Sequence, residues 1–568
     1  MRTLKNRICG IAASLLALCM LLGGCSGEVQ DTDQTQTEDT QMTENAILIP
    51  TVYDNPAVVT ADETAAGSIG AWELEVYIPD GGGNNDMETE NAVIKSPWHT
   101  LTVNGVEVPV YTARCAKSPH SFAWIDIRDG VEDFSLELTL TLSADQKNNK
   151  CVVLPESRGV EVVCETNTFT STITDTGSYT YTFARNESAA VTDPDRVPLT
   201  VMVARETPLS VPEGYSVVEI EPGYHETDAL EFVFGNTVYV MKAGLHEISS
   251  IGLPSNSMLY IERGAYLQVT DRQNADGSWN TKTAIHADDA ENVTIISRGL
   301  LDCGKVLGGD NKHKHVFNAG RSQNIYVEGL TIINSNTWTM CFYSCDNAAA
   351  ERNLLLGYRT YSDGIMMSEC TNSAGRYNFV RTGDDAIEFK GTGWWGGESR
   401  VGENCVYEYN DLWTDKGAGY CLTWESTCEM RNMVFRHNSV GFAQPTWTDR
   451  NTALDCLLGT NSNVRWGDVT FSDIEIYHVI SPNVINNQLQ GEGAILDNIL
   501  FENITVKSTE PGVFAYRMNF DAKGGSISGI RLKNYNFCGR ILTADDKGDA
   551  SIIRNQANQY FDDALTIE

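Results

Sequence analysis

The 568-residue sequence predicts an all-β chain, an N-terminal antiparallel β-sandwich followed by a right-handed parallel β-helix. Three observations carry that reading. Residues 46–210 are built of short runs alternating apolar and polar side chains, broken by Gly, Asp and Asn turns. From about residue 231 the runs shorten to three or four residues and recur every 23 to 36 residues, many introduced by asparagine. Helical periodicity is nearly absent throughout.

The alternating runs include 72–78 (WELEVYI), 134–142 (FSLELTLTL), 160–163 (VEVV) and 179–183 (YTYTF). Period-two alternation places one face of each strand in a core and the other in water, the pattern of stacked antiparallel sheets. Residues 211–230, rich in Pro and Gly, read as a connector. In the second half, 238–241, 258–261, 293–296, 325–327, 330–333, 354–356, 469–471, 474–476, 499–501 and 530–532 read as strands. Asn292, Asn324, Asn353, Asn498 and Asn503 precede such runs. Asparagine suits the left-handed turns that join strands within a coil, and its amide can bond to the next coil. A single coil has no core, but stacking closes one. A propeller or a second sandwich fits the irregular interval less well. The helix is expected over 231–550, with 551–568 as a tail.

The chain begins with a targeting segment. Arg2, Lys5 and Arg7 precede an apolar stretch, 8–22, too short for a comfortable membrane span, so residues 1–24 read as a signal peptide. Leu22-Gly-Gly-Cys25 resembles a bacterial lipobox, which implies lipidation of Cys25 and a cell-surface lipoprotein. Residues 25–45 are polar and read as a flexible linker. A net charge of −35 argues against nucleic acid as a partner. Of fifteen cysteines, twelve remain beyond the leader and Cys25. They show no zinc spacing, and buried thiols fit them better than a disulfide scaffold.

Two carboxylate clusters carry the chemistry. Ser362-Asp363-Gly364 and Gly383-Asp384-Asp385 are separated by about one coil, which would stack Asp363 beside the pair at one strand spacing (~4.8 Å). Carboxylates that close cannot all ionise freely, so at least one pKa should rise, and an acid beside a carboxylate is what glycoside hydrolysis needs. Either string alone reads as a turn. In a regular strand Asp384 and Asp385 would point apart, so Gly383 is expected to permit a bend. Trp338, Trp394, Trp395 and Trp424 are expected as platforms for the apolar faces of sugars, with Lys390 and Glu425 as polar contacts. Trp413, Trp447, Trp466, Lys416, Asp449 and Arg450 lie in flanking segments. His313 and His315 lack acidic partners for a metal site. No cofactor and no metal are expected.

Trp338 with the Asn334–Cys345 stretch, Ser362-Asp363-Gly364 and Gly383-Asp384-Asp385 resemble the core of polygalacturonase-type, family 28 hydrolases. A sandwich ahead of the helix, with 153–162, 177–183 and 198–201, is similar to the dextranases and isopullulanase of family 49. The resemblance implies that Asp384 is the general acid and that Asp363 and Asp385 activate water for inversion. The Gly-His-Gly of polygalacturonases is matched here by Gly417-Ala418-Gly419, and no Arg-x-Lys for a uronate is evident. The resemblance therefore implies an α-linked neutral glycan more readily than pectin. A polygalacturonase-like hydrolase, a non-catalytic glycan-binding β-helix and a polysaccharide lyase are the alternatives.

Overall fold

Two antiparallel sheets, of seven and five strands, form the N-terminal sandwich, and two long parallel sheets, of 24 and 11 strands, form a right-handed β-helix behind it. The structure is a computed structural model. It describes residues 69–71 and 93–568, apart from 129–130, 144–149, 185–195, 226–233, 271–276, 278–281, 307–314, 336, 394–399, 423–424, 445–451, 460–462, 482, 508–516, 523 and 557–560. Cys25, Trp394, Trp395, Trp424, Trp447, Asp449, Arg450 and His313 lie outside the described residues. Among the described residues no helix is long and apolar enough to cross a membrane.

The sandwich core follows the alternation. Leu136–Leu142 buries Leu136, Leu138, Leu140 and Leu142 and turns Glu137, Thr139 and Thr141 outward. One pair departs from antiparallel pairing: Leu199–Arg205 lies parallel to His120–Ile127. The outer face of that sheet packs on the solenoid through Tyr111, Phe122, Trp124 and Met202 against Leu300, Leu354, Phe379 and Trp413. Trp124 Nε1 donates to Thr331 Oγ1 (2.9 Å), and Arg298 bridges Asp126 (2.9 Å) to Glu328 (3.2 Å).

The solenoid is longer than the alternation pattern indicates. Ser216–Ile220 and Gly223–Tyr224, in the expected connector, already pair with Thr237–Met241 and Gly244–Ile248. At the other end Ile553–Gln556 and Leu565–Ile567, in the expected tail, pair with Arg517–Ala522 and Ser526–Lys533. Terminal coils cover one side only and carry weak apolar patterning, so composition alone does not mark them.

Asparagines set the coil corners. Asn256, Asn292, Asn324 and Asn347 all have φ near +55°, and the amides of the last three each donate to the asparagine before at 2.6–2.8 Å. Asn353 belongs to a second, buried ladder, Asn353–Asn378–Asn410–Asn438, in which each side chain also bonds to backbone. At another corner Tyr377 and Tyr409 adopt the left-handed conformation and stack at 4.9 Å and 3°, continued by His437 at 5.0 Å. Coils vary in length while this alignment holds. Met340 pairs with Ile365, Ile365 with Ile387, Ile387 with Tyr420 and Tyr420 with Leu454, offsets of 25, 22, 33 and 34 residues.

Ten of the twelve mature-chain cysteines beyond Cys25 are buried, and Cys164 and Cys538 are exposed. Cys345 and Cys370 fill coil interiors as small apolar groups.

Asn378→Ala removes the central rung of the buried ladder and leaves the Asn353 amide and the Ala350 carbonyl without it. At roughly 1–3 kcal/mol per buried group left unpaired, the variant should be destabilised by about 3 kcal/mol. Urea unfolding measures the loss.

Candidate active site

The register that pairs Ile365 with Ile387 also sets Asp363 opposite Asp385, both two residues ahead of their strands and 22 residues apart. Direct bonds confirm the alignment: Gly364 N–H donates to the Asp385 carbonyl (2.9 Å), and Thr339 N–H donates to the Asp363 carbonyl (2.9 Å). Asp384 sits in the irregular turn between Phe379–Thr382 and Ile387–Phe389. Its carbonyl accepts from Thr382 Oγ1 (2.7 Å) and Thr414 Oγ1 (2.6 Å), and its Oδ2 accepts from Tyr361 N–H (3.3 Å). Asp385 Oδ1 accepts from Ala418 N–H (2.6 Å). The sequence position that matches Gly-His-Gly thus brings a backbone amide to the pair.

Gly383 is needed here for a different reason from the expected bend. Its φ is not left-handed, but a Cβ would lie 2.3 Å from the Arg359 carbonyl. A Cβ at Gly417 would meet the Asp384 backbone at the same distance. Close approach of neighbouring coils excludes side chains at both positions.

A fourth carboxylate completes the cluster. Glu388 is fully buried, and one oxygen each of Asp363, Asp385 and Glu388 lie within 4.8 Å of one another. Two like charges at 4.8 Å repel by roughly 3.5 kcal/mol at an effective dielectric of 20, or about 2.5 pKa units. They cannot all be ionised without a cation. A trio so placed could ligate a metal ion, but the chain supplies the positive charge itself: Lys390 Nζ lies 3.0 Å from Glu388 Oε2 and 4.6 Å from the centre of the Trp338 ring. Asp363 Oδ2 and Glu388 Oε1 have no hydrogen-bond partner among the described residues.

Burial is the largest influence on each of these groups. It drives Asp384 up to about 9, helped by repulsion from Asp363 and Asp385. It drives Asp363 to about 7, against the pull of Lys390. Asp385 rises too, restrained by the Ala418 amide and Lys390. Glu388 is pushed well above the ordinary carboxyl range. Burial works against the Lys390 ammonium, but Glu388 and Asp363 outweigh it and hold its pKa well above normal.

The structure therefore brings together Asp363, Asp384, Asp385, Lys390 and Trp338. Glu425, though exposed, acts electrostatically on Asp363, Asp385 and Lys390. Lys416 Nζ reaches Thr360 Oγ1 (3.2 Å) at the rim. Tyr361, whose amide binds Asp384, is 54% exposed with φ of +70°. Trp413 and Trp466 do not face the cluster; the first packs under the sandwich and the second fills the solenoid interior. The His315 ring lies tilted against Trp338, with centroids 5.0 Å apart. Glu388 and Tyr361 escape sequence reasoning. The signal for Glu388 is its period-two spacing from Lys390, which puts both on one face of the strand.

No protein-family model matches the chain, and no curated relative does. Among solved structures it is similar to Dex49A from Penicillium minioluteum, with a TM-score of 0.64 at 12% identity over 89% of this chain and 99% of that one. The likeness is one of fold, a sandwich followed by a right-handed parallel β-helix. A polygalacturonase from Erwinia carotovora ssp. carotovora covers 64% of this chain and 99% of its own (TM-score 0.43, 16% identity). A hyperthermoactive exopolygalacturonase from Thermotoga maritima covers 53% and 80% (TM-score 0.40, 16% identity).

The raised carboxyls set a pH signature. A folded state whose carboxyls hold protons above their unfolded pKa near 4 binds more protons than the unfolded chain, so stability falls as pH rises from about 4 towards 9. Lys390→Met removes the cation that opposes this in Asp363 and Asp385, and the fall should steepen. Thermal unfolding at pH 5 and pH 8 checks it: the variant's deficit against wild type should be larger at pH 8.

Proposed function

We propose that this protein is an inverting glycoside hydrolase acting outside the cell on an α-linked, neutral polysaccharide or glycan, dextran being the first candidate. Asp384 is the general acid, and Asp363 with Asp385 is the base that activates water. The single observation that carries this reading is geometric: Asp363 stacks on Asp385 in one-coil register with Asp384 in the adjoining turn, and burial raises their proton affinities unequally. Asp384, at about 9, keeps its proton at neutral pH, while Asp363, at about 7, can surrender one. Groups of the same type pushed apart in this way suit acid and base roles. Asp384 is not one of the three carboxylates whose oxygens gather within 4.8 Å, which fits an acid held apart from the base pair. Similarity of fold to Dex49A supports the same class of chemistry.

Neutral substrate follows from charge. Lys390, the cation at the centre of the cluster, is committed to Glu388 at 3.0 Å and is not free to hold a uronate carboxylate. The protein as a whole carries −35, which repels polyanions.

Wild type should release reducing ends from dextran, and Asp384→Asn should lower kcat by roughly 10²–10⁴-fold, the usual worth of a general acid. Proton NMR of the first product should show the β-anomer. Activity should rise as Asp363 deprotonates near 7 and fall as Asp384 deprotonates near 9, so a pH–rate profile peaking below 5 counts against this assignment.

The location rests on the leader. Leu22-Gly-Gly-Cys25 followed by a polar tether fits a lipid-anchored surface protein. Cys25→Ala should move the protein from the membrane fraction to the medium, as read by fractionation and immunoblot.

A further inference from the structure

Among the described residues the sandwich contributes no side chain to the carboxylate cluster, yet it grips the two turns that hold it. We propose that the sandwich is a working part of the active site, positioning Asp384 and Asp385 through a buried ion pair, Arg381–Asp415, that it clamps from outside the solenoid. This rests on the catalytic reading of those aspartates.

The pair is sealed: Arg381 and Asp415 have side-chain exposures of 2% and 0%. Arg381 Nη2 donates to both Asp415 oxygens, at 3.1 and 3.2 Å. The remaining bonds come from one short sandwich segment. Ser118 Oγ accepts from Arg381 Nη2 (3.1 Å), His120 Nδ1 accepts from Arg381 Nη1 (3.1 Å), and Lys117 N–H donates to Asp415 Oδ2 (3.0 Å). With Nδ1 accepting, the His120 proton sits on Nε2, which donates to Thr200 Oγ1 (2.8 Å). Burial, with Arg381 beside it, keeps His120 neutral. Its ring tilts over Phe379 and meets Trp413 edge-on, closing the clamp with apolar contact.

Both ends of the pair lead into the cluster. Arg381 lies in Phe379–Thr382, which runs directly into Gly383-Asp384-Asp385. Asp415 follows Asp411–Thr414 and precedes Gly417-Ala418. Thr414 Oγ1 donates to the Asp384 carbonyl and accepts from Gly417 N–H (2.8 Å), and Ala418 N–H holds Asp385 Oδ1. Moving the Arg381–Asp415 pair therefore moves the carbonyl anchor of Asp384 and the amide that steadies Asp385 together.

Adhesion between domains does not require this arrangement. A buried ion pair adds little net stability over well-packed apolar residues. The same interface is also joined elsewhere, by Trp124 to Thr331 and by Arg298 to Asp126 and Glu328, and among the described residues those groups make no bond to the cluster. Those contacts provide an internal control.

The experiment compares His120→Leu, which loses the acceptor, with His120→Asn, which restores one at the Nδ1 position, and with Trp124→Phe, which breaks an interface bond remote from the cluster. On dextran, His120→Leu should lower kcat about tenfold with KM changed less than about twofold, the mark of misplaced reacting groups. Loosening the Ala418 bond raises Asp385, so the acidic limb of the pH profile should move to higher pH. His120→Asn should recover most of both effects, and Trp124→Phe should lower the melting temperature while leaving kcat intact. A folded His120→Leu with wild-type kcat and pH profile overturns the proposal, as does an equal loss of kcat in Trp124→Phe. If wild type cleaves no glycan, the functional reading falls, and amide exchange then decides the clamp: faster exchange across 412–420 in His120→Leu but not in Trp124→Phe supports it, and unchanged exchange overturns it.

Discussion

One patch of the solenoid must hold four acidic side chains out of water, and the rest of the site is arranged around that demand. Asp363, Asp384, Asp385 and Glu388 are all less than a tenth exposed, and the nearest oxygens are separated by less than 5 Å. The register of parallel coils enforces the crowding, because residues at the same place in successive turns cannot separate by more than about one strand spacing (~4.8 Å). Lys390 makes the arrangement tolerable. Its ammonium, itself desolvated, is compensated chiefly by Glu388 and Asp363, with Glu425 and Asp385 adding to them. Neither the cation nor the anions would remain charged there alone.

This interdependence explains what was legible in the sequence and what was not. Asp363 and Asp385 could be matched because a 22-residue offset is one coil, and a coil length is visible from strand spacing alone. Asn292, Asn324, Asn498 and Asn503 could be read as corners because asparagine is chosen for the left-handed conformation; all four have φ of +50° to +57°. Asn353 has a different task, in the buried ladder, because Arg352 takes the corner beside it. Glu388 was missed because Ile-Glu-Phe-Lys is what any half-exposed strand looks like; its period-two spacing from Lys390 marks a shared face, and the three-dimensional register shows that face to be buried. Tryptophan is ambiguous for a similar reason. Trp413 and Trp466 are near the site in sequence, but one faces the sandwich and the other the solenoid core.

The similarity to Dex49A extends over nearly the whole chain at 12% identity. A solenoid explains how so little sequence can keep so much shape. Each coil needs apolar residues at alternating inward positions, a corner residue that accepts positive φ and little else. Those requirements are satisfied by many residue combinations, so fold persists after particular side chains have changed. The few positions with strict demands are where coils touch backbone to backbone, as at Gly383 and Gly417.

Unequal coil lengths have a bearing on how such a protein changes over evolutionary time. Successive turns through the carboxylate region advance by 22, 33 and 34 residues, yet Ile365, Ile387, Tyr420 and Leu454 remain in one column. Extra residues leave the ladder and rejoin it without disturbing the rows above and below. Segments bordering the carboxylate cluster are thus free to grow, shrink or be replaced while the four acidic side chains stay fixed, and a new outer surface can arise around an unaltered interior.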